Sequence, residues 1–200
     1  MQLIVATRNA HKTREIEQIL GPGWAVQDLA AHPEISGIME SGTSFEENAK
    51  LKAIAVSKEL QGLVIADDSG LEVDALGGAP GIHSARYAGV HTADKEKITK
   101  LLRQLAKIDA KGDQRRARFC CVLAVAREGQ VLATFEGIVE GKIAEQSRGS
   151  HGFGYDPVFI PNGFEETFAE LPEELKNRIS HRAKAIHKLQ AKVATFFTEV

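Results

Sequence analysis

The chain has 200 residues, enough for one sizeable core or for a core with a smaller lobe, and its 43% hydrophobic and 26% charged residues are ordinary globular values that exclude disorder. A net charge of −2 excludes a globally basic nucleic-acid binder, so any anionic ligand has to be held by a local cluster of cations. No apolar run reaches membrane-spanning length, and Cys120 and Cys121 stand side by side in an apolar run, which suggests neither a disulfide framework nor a metal site; a reduced, cytoplasmic protein with no membrane contact is expected.

The apolar stretch 3–6 reads as a first strand, 7–11 as a loop, and 12–20 as a helix with Ile16, Ile19 and Leu20 on one face. A second strand is expected over 24–29. A longer helix follows, with Ser44 as N-cap, Glu47 in the capping-box position and an apolar stripe of Phe45, Ala49, Ala53, Val56 and Leu60. Residues 63–67 read as a central buried strand, and 92–106 as a charged amphipathic helix carrying Ile98, Leu101, Leu102 and Leu105. Segments 118–127 and 131–143 read as long strands joined in a hairpin at Glu128-Gly129-Gln130, with another strand within 157–161. A last helix starts near Ser180, with Ala183, Ile186, Leu189, Val193 and Phe196 facing inward. Helices early and late around a mixed sheet make this an α/β protein, with two lobes and a cleft between them.

Ala66-Asp67-Asp68-Ser69-Gly70 places two adjacent carboxylates at the expected exit of the central strand, where α/β proteins hold their ligands. Neighbouring side chains on a strand point to opposite faces, so both acids reach one ligand only if the chain turns there, and Gly70 permits a turn. A Mg²⁺ ligand beside a general base and a simple Asx-turn are both open readings at this point.

Thr7-Arg8-Asn9-Ala10-His11-Lys12 opens a helix with small polar groups and a lysine, a phosphate cradle without the Gly-Lys-Ser/Thr of a P-loop. A lysine in a first turn opposes the helix dipole, which asks for a reason. Glu40 precedes the capped helix, on which Asn48 and Lys52 share a face; an anion site and a merely solvated face both fit that spacing. The glycine-rich stretch from Gly77 to Tyr87 reads as an irregular loop with structural duty first and ligand contact second. In Gly152-Phe153-Gly154-Tyr155-Asp156-Pro157, an aromatic flanked by glycines is accessible for stacking on a nucleobase, Asp156 can accept from a base edge, and His181 and Arg182 can donate to one. Phe153 as core and Asp156-Pro157 as a turn are the plainer alternatives.

Taken together, Thr-x-Asn-x-x-Lys, Ser-Phe-Glu-Glu-Asn-Ala-x-x-Lys-Ala, Ala-Asp-Asp-Ser-Gly with its long glycine-rich tail, Gly-Phe-Gly-Tyr-Asp-Pro and Ser-His-Arg resemble the inosine/xanthosine triphosphate pyrophosphatases over nearly the whole chain. The resemblance implies an elongated mixed β-sheet flanked by helices, one catalytic domain over residues 1–200 with the nucleotide between two lobes, and a homodimer. It implies Mg²⁺-dependent hydrolysis of ITP, dITP or XTP between the α and β phosphates, giving the monophosphate and pyrophosphate. By matching position, Thr7, Arg8, Asn9, Ala10, His11, Lys12 and Lys52 resemble the phosphate grip. Asp68 resembles the proton acceptor and a Mg²⁺ ligand, Glu40 a further metal or water-positioning carboxylate, and Ser69 a substrate contact. Phe153, Gly154, Tyr155, Asp156, Lys176, His181 and Arg182 resemble the base pocket. His151 departs from the family pattern, where a small residue is expected, and this bears on purine preference. Donors at His181 and Arg182 suit the 6-oxo group of inosine and xanthosine and leave an adenine amino group unpaired. The alternatives are a nucleotide-binding sensor without turnover and a pyrophosphatase for other modified nucleotides.

Overall fold

A computed structural model of the protein describes residues 1–196. Its elements follow in the order β1 (Gln2–Val5), α1 (Ala10–Leu20), β2 (Ala25–Asp28), α2 (Phe45–Glu59), β3 (Val64–Val73), α3 (Asp94–Lys107), β4 (Arg116–Arg127), β5 (Gln130–Ile143), β6 (Phe159–Pro161), α4 (Glu173–Ile179) and α5 (His181–Gln190). The strands form one mixed sheet in the order β2-β1-β3-β4-β5-β6. β1 pairs in parallel with β2 and β3, whereas β6 pairs antiparallel with β5. Leu3, Ile4 and Val5 are buried on both faces, as a strand between parallel neighbours must be. β4 and β5 join through a two-residue turn in which Glu128 (φ 50°) and Gly129 (φ 77°) are both left-handed, the twist-matched hairpin connection.

By internal contacts the described chain divides into two compact units. The first comprises Met1–Asp68, Cys121–Gly137 and the described residues from His181 onward; the second comprises Ser69–Cys120 and Ile138–Ser180. In the first unit Leu3, Val5, Ile16, Ile65, Leu123 and Ile186 belong to one apolar core. Gly137 allows α5 to start against β5 there, because a Cβ at this position would lie 2.0 Å from the His181 carbonyl oxygen. The second unit has its own core, with Leu71, Leu101, Phe119, Phe159 and Phe168 among its members and the Phe119 and Phe159 rings 4.7 Å apart.

The expected elements are present with shifted ends, and two expectations need correction. β3 does not end at Asp67, and Gly70 makes no turn; the strand runs on to Val73. Leu71 and Val73 are fully buried, so the apolar alternation resumes beyond the acids, and the acids are tolerated because buried cations pair with them. The terminal helix ends at Gln190, and Val193 and Phe196 belong to a separate 3₁₀ turn. A short helix, α4, precedes it and has no counterpart among the elements expected from the sequence. Cys120 and Cys121 are buried and reduced, and no helix among the described residues is long and apolar enough to cross a membrane.

Candidate active site

Because β3 stays extended through Asp67 and Asp68, their side chains leave on opposite faces and meet different partners. Asp67 is surrounded. Its Oδ1 lies 2.5 Å from Lys12 Nζ, and its Oδ2 accepts from Arg182 Nε at 2.8 Å and from the Cys121 thiol at 3.2 Å. Arg182, itself 1% exposed, also pairs with Glu15 from α1. Burial pushes the Asp67 carboxyl up, but the charges of Arg182 and Lys12 overcome it and hold Asp67 well below the usual carboxylate range. The same burial, with Asp67 beside it, pushes the Cys121 thiol well above its ordinary value.

Asp68 has one oxygen engaged and one not. Its Oδ1 accepts from Lys52 Nζ at 2.8 Å, while its buried Oδ2 has no hydrogen-bond partner among the described residues. Lys52 also donates to Glu40 Oε1 at 2.7 Å and to the Asp67 carbonyl at 3.0 Å, so all three of its N–H bonds go to protein oxygens. Burial would lower the Lys52 pKa, yet Asp68 and Glu40 attract its charge strongly enough to raise it. Asp68 feels the same attraction, but burial, with the like charge of Glu40 added, outweighs it and raises its pKa above the ordinary aspartate value. A carboxylate with one uncommitted oxygen and a raised pKa is a better proton acceptor than an ordinary aspartate.

α2 positions these groups. Ser44 caps it by accepting from Glu47 N at 3.1 Å, and Glu47 reaches back to Thr43 N at 2.7 Å, one residue before the position a capping box uses. One turn before Lys52, the fully buried Asn48 accepts from Gly42 N at 2.8 Å and ties down the loop that follows Glu40.

The phosphate-grip candidates gather at the start of α1, which begins at Ala10 with Asn9 as its N-cap. Asn9 Oδ1 accepts from His11 N at 3.0 Å and Lys12 N at 3.4 Å, and Thr7 Oγ1 accepts from Asn9 N at 3.1 Å. Arg8 turns away to the Leu29 and Ile35 carbonyls, both at 2.5 Å, and straps the segment after β2. The first-turn lysine thus has its reason: Lys12 is drawn to Asp67.

In the second unit, Ser69 follows the acids on β3 and is half-buried. There Phe153, Asp156 and Lys176, three candidates for the base pocket, lie together. Asp156 is 2% exposed and accepts from Phe153 N at 2.9 Å and from Lys176 Nζ at 2.5 Å. The Lys176 ammonium lies 5.1 Å from the Phe153 ring centroid, a cation–π distance. Tyr155 is buried and donates its hydroxyl to the Ser84 carbonyl at 3.0 Å. His151 is exposed, with Nδ1 3.3 Å from the Leu171 carbonyl oxygen. His181 and Arg182 belong to the first unit, where α5 begins, and both are buried.

Glu15 and Cys121 escaped sequence reasoning, although Glu15 left a signal. It lies between Lys12 and Ile16 on the stripe of α1 that is turned inward, and an acid on such a stripe needs a buried cation.

The sequence pattern of the Ham1 family matches residues 3–192. The chain belongs to the Ham1 family. It is 50% identical over 189 residues to a dITP/XTP pyrophosphatase of Bacillus subtilis, covering 94% of each chain, and 49% identical over 200 residues to one of Listeria monocytogenes, covering 100% of this chain and 98% of the other. Among solved structures it superposes on the Staphylococcus aureus Ham1 protein with a TM-score of 0.84 at 41% identity, over 98% of this chain and 100% of that one. The α/β class and the mixed sheet expected from the sequence agree with this likeness.

Proposed function

We infer that this Ham1-family protein hydrolyses purine nucleoside triphosphates bearing non-standard bases (ITP, dITP and XTP) between the α and β phosphates, releasing the monophosphate and pyrophosphate and so clearing them from the nucleotide pool. The observation that carries the chemistry is Asp68, a buried carboxyl with a raised pKa, one oxygen fixed by Lys52 and the other uncommitted. The names of the relatives supply the substrate class. Asp68 takes a proton from the attacking water, whose oxygen bonds to the α phosphorus; the bond from the α phosphorus to the bridging oxygen breaks, and pyrophosphate leaves with that oxygen and the bonding electron pair. Lys52 keeps Glu40 and Asp68 together while neutralising part of their charge.

Among the described residues no group of three or more His, Cys, Asp and Glu side chains forms a metal cage. Mg²⁺ is commonly held by one or two carboxylates plus substrate phosphates, and two carboxylates joined by one ammonium, with a partnerless buried oxygen on Asp68, fit that requirement. Glu40 and Asp68 would hold the ion, which would offset charge on the triphosphate. Asp67 does not suit this task, because both of its oxygens are engaged by cations.

Residues 1–200 act as one catalytic domain in this reading. Thr7 and Asn9 to Lys12 take the triphosphate while Arg8 braces the segment behind them, and Lys52 exchanges one of its protein acceptors for a phosphate oxygen; Ser69 touches the substrate, Phe153 to Asp156 and Lys176 take the base, and His181 and Arg182 favour a 6-oxo purine. The family resemblance supports a homodimer, and two reduced cysteines suit the reducing cytoplasm. Turnover of ITP with Mg²⁺, followed by product analysis, tests the proposal: pyrophosphate is expected. Orthophosphate instead indicates a different phosphohydrolase, and binding without turnover indicates a sensor.

A further inference from the structure

The glycine-rich stretch from Gly77 to Tyr87 and the start of α3 have no part in the chemistry above, yet both hold the loop that carries Phe153. Up to the 3₁₀ turn at Asp156–Val158, residues 149–155 of that loop lie in no helix or strand, and Gly152 (φ 72°) and Gly154 (φ 62°) both adopt left-handed backbone. Its shape therefore depends on the partners of its polar groups. Phe153 N is taken within the loop by Asp156. The next N–H, that of Gly154, donates to Asp94 Oδ2 at 2.7 Å, sixty residues away in sequence. The Tyr155 hydroxyl donates to the Ser84 carbonyl at 3.0 Å. Ser84 is itself immobilised, since its hydroxyl accepts from Leu71 N on β3 at 2.9 Å and donates to the Gly81 carbonyl at 2.6 Å. All of these residues lie in the second unit.

Asp94 has an ordinary duty as an acid in the first turn of α3, where it favours the helix dipole and its Oδ1 pairs with Lys97 at 2.9 Å. That duty needs only one oxygen. The second oxygen makes a short, charge-assisted bond to the backbone between Phe153 and Tyr155, stronger than a neutral carbonyl would make. We propose that Asp94 is a positioning residue for purine binding, fixing the Phe153 loop through Gly154 N while the Ser84 carbonyl fixes it through the Tyr155 hydroxyl.

The inference rests on the reading of Phe153 as the base-stacking residue, and the test separates the two. KM and kcat for ITP are measured for Asp94→Ala, Asp94→Asn, Lys97→Ala and Phe153→Ala, together with inhibition by inorganic tripolyphosphate, which has no base. Asp94→Ala is expected to raise KM for ITP by about tenfold, the size of one lost charge-assisted hydrogen bond, with kcat changed less than about twofold. Tripolyphosphate inhibition stays as in the wild type. Asp94→Asn, which keeps an acceptor oxygen, recovers most of the affinity, and Lys97→Ala, which breaks only the pair within the helix, leaves KM unchanged. An unchanged KM in Asp94→Ala, an equal KM rise in Asp94→Asn, or a parallel weakening of tripolyphosphate overturns the proposal. If Phe153→Ala raises KM while Asp94→Ala does not, only the positioning role fails. If Phe153→Ala itself leaves KM unchanged, the base-loop reading fails and the positioning role falls with it.

Discussion

Asp67 and Asp68 are neighbours on one strand, both almost wholly buried, and they are treated in opposite ways by the two faces of β3. On one face, Lys12, Arg182 and Cys121 engage both oxygens of Asp67, and Arg182 extends the network to Glu15. On the other, Lys52 engages a single oxygen of Asp68 and leaves the second without a partner among the described residues. The first carboxyl is held far below its ordinary pKa and the second is raised above it. A saturated ion network secures structure, whereas an unsatisfied buried oxygen is a standing cost that only a ligand, a metal or a reacting proton offsets. The pair shows how alternation along one strand gives two neighbouring carboxyls opposite duties.

The largest effect on stability is expected on the saturated face. Asp67→Asn leaves Arg182 and Lys12 facing a neutral amide in a buried site, and a loss of about 3–5 kcal/mol is expected in urea unfolding. A loss below about 1 kcal/mol would remove the distinction between the faces.

Lys12→Ala sharpens the comparison from the side of the ligand. Arg182 still holds Asp67 in this variant, so the fold survives. Affinity for a non-hydrolysable ITP analogue should fall about tenfold through loss of one charge-assisted contact. Calorimetric titration measures this, and unchanged affinity would place the triphosphate elsewhere.

A smaller effect is the dependence on pH, and its sign differs between the faces. Asp67 is depressed in the folded state, so its stabilisation is present above the unfolded value of about 4 and is lost as pH falls through the folded value. Asp68 is raised, so the stabilisation linked to its protonated form is present below about 4 and is lost as pH rises through the folded value. Melting curves recorded without metal should therefore show the Asp67→Asn deficit shrinking toward acid pH. Any gain in Asp68→Asn should be largest near neutrality and should vanish in acid. Parallel pH profiles for the two variants would contradict the assignment.

Much of this was legible in the amino-acid order. Ser44 and Glu47 announced the start of α2, and Glu128-Gly129 the hairpin, because caps and turns are local chemistry. The adjacent acids announced a site, but their alternation was obscured by Gly70, which looked like a turn and is in fact within β3. The short helix α4 escaped because a helix of seven residues is set by tertiary packing rather than by its own pattern. The partners of Asp67 escaped because Arg182 lies 115 residues away, and no local rule pairs groups at that separation.

The central claim is that Asp68 supplies the base. Asp68→Asn, assayed for pyrophosphate release from ITP with Mg²⁺ and melted beside the wild type, tests it most directly. The account predicts a rate lower by roughly a hundredfold or more, as for a lost general base, with a melting temperature equal to or above that of the wild type. Turnover near the wild-type rate would move the base elsewhere, with Glu40 the next candidate, and a rate loss accompanied by a collapse in melting temperature would make Asp68 a structural residue like its neighbour.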